Sequence, residues 1–200
     1  MGFRGRFFSV FVVALFNVLR YFYYHYYLGL PFKADFFILT AIFMSIAWWC
    51  GKQYDRAKYY SEKDALTNTF NRRTVERKFN ALYKKHDRKV GVVMIDLNDF
   101  KKINDCYGHN KGDEVLRIVG TRLNEIVKKE DCAARWGGDE FLLLINNPKA
   151  DFKADRIKME LEELELVSVS IGTAVFPDHG NTLEKLIQYA DAKLYEMKEP

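Results

Sequence analysis

Two hundred residues, 48% of them hydrophobic and 29% charged, allow one ordinary domain and a smaller appendage. The net charge of +4 lies mostly before Gly51, where Arg4, Arg6, Arg20 and Lys33 face the single acid Asp35; the remainder is nearly neutral, which excludes an electrostatic case for nucleic acid as a partner. Cys50, Cys106 and Cys132 are widely spaced and lack C-x-x-C spacing, which excludes a disulfide framework or a zinc-ribbon site and leaves the cytosol as the default compartment.

The first fifty residues carry more than half of the Phe, Tyr and Trp residues of the chain. Residues 7–30 read FFSVFVVALFNVLRYFYYHYYLGL and residues 36–51 read FFILTAIFMSIAWWCG, two apolar stretches separated by a short polar loop. They predict a helical hairpin near the length of a membrane crossing. Arg4 and Arg6 before it, and Lys52, Arg56 and Lys58 after it, place both ends on the cytoplasmic side, while the tyrosines and Trp48–Trp49 suit the headgroup level. A signal peptide would share the basic start but lacks an A-x-A-like cleavage site here. A buried soluble hairpin is the other alternative, supported by Arg20 and His25; in a bilayer Arg20 would snorkel. Residues 52–63 then read as a charged connector helix, with Asp55 and Lys58 spaced to share one face.

From Asp64 onward helices and strands alternate. Helices are predicted over 71–86, 100–104, 111–129 and 151–165 and from 182, with strands over 89–97, up to 136, over 141–145 and over 168–176. Residues 115, 118, 119, 123 and 126 repeat with a helical period. The expected architecture is one sheet covered by helices, an α/β or α+β sandwich.

Two carboxylate positions carry the chemistry. The strand 89–97 ends at Asp96, and an acid at the end of a buried strand is expensive without a cation. The segment 132–141, CAARWGGDEF, places two glycines before two acids, as a two-residue hairpin turn with positive φ would. If the strand preceding GGDE lies beside the strand ending at Asp96, Asp96 and Asp139 converge on one Mg²⁺ with room for phosphate oxygens, and Lys101 adds a positive charge. Spacing alone reaches Mg²⁺-dependent phosphoryl or nucleotidyl transfer.

The motifs say more together. DALTNTFNRR (64–73), DLNDFKKINDCYGHNKGDEVL (96–116), RWGGDEF (135–141), SIG (170–172) and YADAKLYEMK (189–198) stand in an order and spacing that resembles the GGDEF family, the bacterial diguanylate cyclases. The resemblance implies a palm-like nucleotidyl-cyclase sheet and a homodimer that condenses two GTP into cyclic di-GMP with release of pyrophosphate. It implies Asp96, the Leu97 carbonyl and Asp139 as ligands of Mg²⁺, with Mn²⁺ as the alternative ion. Asp139 or Glu140 would help remove the 3′-proton, unless metal activation of that oxygen suffices. Lys101 and Lys198 would neutralise phosphates, Asn104 and Asp113 would read guanine, and Phe100 and His109 would complete the substrate pocket.

The chain departs from the pattern in places. Asn68-Thr69 replaces the usual Gly-Leu, and KKED (128–131) replaces the R-x-x-D inhibitory site, so product inhibition should be weak. The segment 146–165 is shorter than usual, and the sequence stops at Pro200, just before a common G-R-N tail. The expected organisation is a two-helix membrane anchor (1–51), a connector helix (52–63) and a GGDEF domain (64–200), a multi-pass protein of the bacterial cell membrane with its catalytic domain in the cytoplasm. The competing reading is a catalytically silent GGDEF domain that binds nucleotide or a partner; cyclisation of mixed purines is a third, disfavoured by Asp113.

Overall fold

An apolar run without polar alternation suits a strand covered on both faces. Residues 90–97 are such a run, and nearly every one is buried. The structure is a computed structural model that describes residues 3–31, 33–83, 89–148 and 154–198. It divides into two compact units, Met1–Ser61 and Glu62–Pro200.

The second unit is a five-stranded mixed sheet with helices on both faces. Its strands are β1 (Phe70–Asn71), β2 (Val90–Leu97), β3 (Cys132–Arg135), β4 (Glu140–Asn146) and β5 (Val169–Phe176), in the spatial order β1-β3-β4-β2-β5. Only β1 and β3 pair in parallel. Alternate side chains divide between two cores. Val93, Ile95, Phe141 and Leu143 pack with Val115, Val119, Leu123, Ile157 and Leu161, whereas Val92, Met94, Leu142 and Leu144 pack with Val75, Phe79, Leu186 and Ala190.

The helices of this unit are α3 (Arg72–Tyr83), α4 (Phe100–Tyr107), α5 (His109–Ile126), α6 (Ala154–Glu162) and α7 (Leu183–Lys198). Thus α5 and α6 cover one face and α3 and α7 the other, which is the α/β architecture expected. The ends of two predicted helices, at 84–86 and 151–153, lie outside the described residues. Asn68 adopts φ 55°, the left-handed conformation that asparagine tolerates where the family has glycine. Thr69 is fully buried and shares a hydroxyl hydrogen bond of 2.8 Å with Thr67. Cys132 is buried in the second core, and burial pushes its thiol up to about 11, which makes it a packing residue rather than a nucleophile.

The first unit contains α1 (Arg4–Tyr21), continued by a π-helical turn over Phe22–Tyr27, and α2 (Ala34–Glu62). The two helices, Arg4–Tyr27 and Ala34–Glu62, are long and apolar enough to cross a membrane. They are antiparallel, since Gly5 meets Asp55, Ser9 meets Ala47 and Arg20 meets Phe36. Gly5, Ser9, Ala47 and Gly51 form the close contact: a Cβ on Gly51 would lie 2.5 Å from the Arg6 Cα. Small residues along such a seam let two helix backbones approach closely. Polar side chains are turned into the seam. Asn17 accepts from Thr40 at 3.0 Å, and Arg20 reaches across to the Phe36 carbonyl and to Thr40 at 2.9 and 2.7 Å.

Asp55 corrects an expectation. It does not face Lys58 on a solvated helix surface but is buried, accepting the Gly5 N–H at 2.8 Å and pairing with the Arg6 guanidinium at 3.3 Å. The positive N-terminal end of α1 and an adjacent cation are stronger partners for a carboxylate than one exposed lysine three residues away.

Packing is close at Gly172 of β5, where a Cβ would overlap the Ala190 carbonyl oxygen of α7 and come within 2.8 Å of the Leu194 backbone nitrogen. Gly172→Ala must therefore push α7 off the sheet, and overpacking of this kind costs about 1–3 kcal/mol or more. The expected result is a lower denaturation midpoint, read by circular dichroism in urea.

Candidate active site

The site begins with strand register. Asp96 near the end of β2 stands directly opposite Glu140 at the start of β4, and the Leu97 N–H donates to the Asp139 carbonyl at 3.3 Å. Asp96, Leu97, Asp139 and Glu140 therefore meet at one corner of the sheet. The neighbour of β2 is the strand after GGDE; the strand before it, whose pairing with β2 was the condition considered for convergence, lies one place further out. Seven-residue β4, with five successive buried residues, fills the position between β2 and the four-residue β3.

The turn also differs from the two-residue form expected. Neither Gly137 nor Gly138 has positive φ. Instead the Trp136 and Gly137 N–H groups both donate to the Glu140 carbonyl, at 2.8 and 3.3 Å, which makes a wider loop. The glycines serve space. A Cβ on Gly137 would lie 2.5 Å from Glu140 Oε2, whereas one on Gly138 would meet nothing within 4 Å, so the surface beside Asp139 is open.

Arg135 holds this loop. Its Nε and Nη2 donate to the Gly138 carbonyl at 3.1 and 2.7 Å, and its Nη1 lies 3.4 Å from Asp64 Oδ1. Asp64 also accepts the Thr67 N–H and hydroxyl at 2.9 and 2.8 Å. Partial burial opposes ionisation of Asp64, but the Thr67 hydrogen bonds and the Arg135 charge outweigh it and hold the carboxyl below its ordinary value of 3.8. Arg72 stacks on Trp136 with its guanidinium carbon 4.4 Å from the ring centroid, fixing the base of the loop against α3.

The loop from β2 to α4 is tied to β5. Asn98 donates its N–H to the Ser168 carbonyl at 3.0 Å and accepts the Ser170 hydroxyl at 2.8 Å, and Asp99 takes the left-handed φ of 56° that starts α4. Phe100 and Asn104 lie one turn apart on α4, half-buried. Gly108, at φ 81°, bends the chain into α5 so that Gly112 comes against Phe100 and Asn104, with Asp113 next to it. Asp113 is half-buried and 3.7 Å from Arg117.

Lys101 is exposed on α4, and His109 is exposed at the first position of α5. The structure joins His109 to no other candidate by a hydrogen bond among the described residues. Lys198 ends α7, and its side chain lies outside the described residues. Asn98, Ser170, Arg135 and Asp64 were not assigned a role from sequence; the signal was their presence within the motifs DLNDF, SIG, RWGGDEF and DALTNT.

The donor set suits a hard cation. It consists of oxygens alone, from Asp96, Asp139 and the Leu97 carbonyl, and among the described residues no group of three or more His, Cys, Asp or Glu could enclose a metal without help. Mg²⁺ is commonly bound by one or two carboxylates, with substrate phosphates and water completing its shell. In the segment 128–131, Asp131 accepts the Asn146 N–H at 2.9 Å and the Lys128 N–H at 3.3 Å, while Lys128 itself is exposed.

A family model described as "Diguanylate cyclase, GGDEF domain" matches residues 61–200. Among curated proteins of Escherichia coli strain K12, the cyclic di-GMP phosphodiesterase PdeR is 35% identical over 156 residues (72% of this chain, 24% of that protein). The diguanylate cyclase DosC is 36% identical over 150 residues (68% and 32%). The chain thus spans a third or less of the length of these relatives. A crystal structure of a sensory box/GGDEF family protein from Caulobacter crescentus superposes with a TM-score of 0.60 at 31% identity, covering 69% of this chain and 98% of that one.

Because the folded-state pKa of Asp64 is lowered, its contribution to stability is full above the ordinary aspartate range and is lost as the pH falls through the lowered value. Asp64→Asn should therefore lower the melting temperature at neutral pH, and the difference from the unaltered chain should close in acid. Parallel melting curves across pH would reverse this assignment.

Proposed function

Given that the chain belongs to the GGDEF family, we propose that it is a membrane-anchored diguanylate cyclase that joins two GTP molecules into cyclic di-GMP. The observation that carries this reading is the β2–β4 register, which gathers Asp96, Leu97, Asp139 and Glu140 at one corner, with only Asn98 and Asp99 between Leu97 and the helix bearing Lys101 and Asn104. Asp96, Leu97 and Asp139 would hold Mg²⁺ or Mn²⁺, which when bound supplies Lewis-acid charge to the triphosphate. Open space at Gly138 admits the phosphates beside these acids.

In each of two equivalent steps, the 3′-oxygen of one GTP bonds to the α-phosphorus of the other. The bond between that phosphorus and the bridging oxygen breaks, pyrophosphate leaves, and Asp139 or Glu140 would take the hydroxyl proton. Lys101, with Lys198, offsets phosphate charge. Asn104 and Asp113 select guanine, since a carboxylate accepts from the N1 and N2 donors that adenine does not present together. One chain holds one GTP in this scheme, so turnover needs a second copy facing it, and how the copies are held governs the rate.

The hairpin of α1 and α2 is read as the anchor. Its outward surface is rich in exposed Phe7, Phe8, Phe11, Leu15, Phe37, Ile38, Ile42 and Ile46, a surface suited to lipid. With basic residues at both ends of the hairpin, both termini and the catalytic unit would lie in the bacterial cytoplasm. A second reading is a silent nucleotide-binding module; it is favoured by the similarity to a relative named as a phosphodiesterase rather than a cyclase.

Purified full-length chain in vesicles, given GTP and Mg²⁺, should form cyclic di-GMP and pyrophosphate, detected by mass spectrometry, and Asp139→Ala should reduce both to background. Folded, dimeric protein that binds GTP and makes no product would favour the silent module. Under turnover, added cyclic di-GMP should slow the unaltered chain little, and Lys128→Arg should increase that sensitivity, because arginine restores the bidentate fork that lysine lacks.

A further inference from the structure

The residues proposed to read the base are held by an absence. Among the described residues no hydrogen bond fixes the Asn104 carboxamide, although the side chain is half-buried between α4 and α5. What lies against it is the bare Cα of Gly112. A Cβ built there would overlap Asn104 Oδ1 and would sit 3.0 Å from Asn104 Cγ and 3.1 Å from Phe100 Cζ. Real Cβ contacts are almost never so short, so any side chain at 112 must displace Asn104. Phe100 cannot easily yield in its place, since its ring packs against the core cluster that includes Val115 and Leu116.

Gly112 lies in the first turn of an 18-residue helix, and the positive φ that makes the bend belongs to Gly108, four residues earlier. Glycine inside a helix is disfavoured relative to alanine by about the largest margin of any residue but proline. Its presence therefore needs a steric reason, and the described contacts supply one: the carboxamide oxygen of Asn104 and the edge of the Phe100 ring occupy the volume a methyl group would take. The same helical turn then presents Asp113.

We infer that Gly112 is a specificity-setting positioning residue, whose missing side chain seats the Asn104 carboxamide so that it and Asp113 present one hydrogen-bonding edge to a guanine nucleotide. This rests on the nucleotide reading proposed above and deepens it. Gly112 touches no substrate; it acts through Asn104.

The test is a binding cycle on the full-length chain in detergent, using a GTP analogue with a non-hydrolysable α,β-methylene linkage and the matching ATP analogue, with Mg²⁺ present. The unaltered chain should prefer the guanine analogue. Gly112→Ala should weaken guanine binding about tenfold and leave adenine binding unchanged, in a chain whose circular dichroism shows the same fold. Asn104→Ala should weaken it similarly, and the combined Gly112→Ala/Asn104→Ala variant should be no weaker than Asn104→Ala alone, since both changes act on one side chain.

Three results would overturn the inference: guanine binding by Gly112→Ala equal to that of the unaltered chain, losses that add in the combined variant, or a Gly112→Ala chain that misfolds and is not restored by removing the Asn104 side chain. An unaltered chain that binds both analogues equally, or neither, would instead bring down the nucleotide reading itself.

Discussion

The candidate site depends on one constraint, the antiparallel register of β2 against β4. A strand pair that slips by one residue turns every side chain to the opposite face, and here both faces are buried, so slippage would break two cores at once. That penalty fixes Asp96 opposite Glu140 far more firmly than any contact between the acids could. Two acidic residues are thus set opposite one another by apolar residues such as Val93, Ile95, Leu142 and Leu143. The burial of the strands thus supplies the energy that holds acidic residues together at the corner of the sheet.

Around this corner, rigidity comes from charged and polar clamps and openness from missing side chains. Arg135 links Asp64 to the Gly138 carbonyl, and Asn98 links the β2–α4 loop to β5. Gly138 leaves its surroundings clear, while Gly172 lets α7 lie directly on the sheet. The hairpin follows the same logic by different means. Small residues bring α1 and α2 together, and Asp55, Asn17, Thr40 and Arg20 make hydrogen bonds across the seam.

Much of the fold was legible because continuous apolar runs and helical periods report burial directly. Residues 90–97 and 141–145 announced themselves as doubly covered strands, and the carboxylate ending the first marked a site. Periodicity reports which way a side chain faces, but not which strand lies beside which; hence the pairing of the strand before GGDE with β2 stood only as a condition. Glycine identity likewise permits positive φ without requiring it, and at 137 and 138 the sequence uses glycine for room. Asn104 and Asp113 enter the candidate site only through resemblance, since their spacing alone points to no ligand. Long-range partners were not legible at all. Asp64 and Arg135 are 71 positions apart and Gly5 and Asp55 are 50 apart, and no local spacing announces such pairs.

Asp131 accepts backbone N–H groups from Asn146 at the end of β4 and from Lys128, so the second unit employs this carboxylate to close its own chain. One side chain thereby staples the segment entering β3 to the far end of β4, so the Asp131 carboxylate is an architectural part of the sheet, and neutralising it would loosen two chain segments at once.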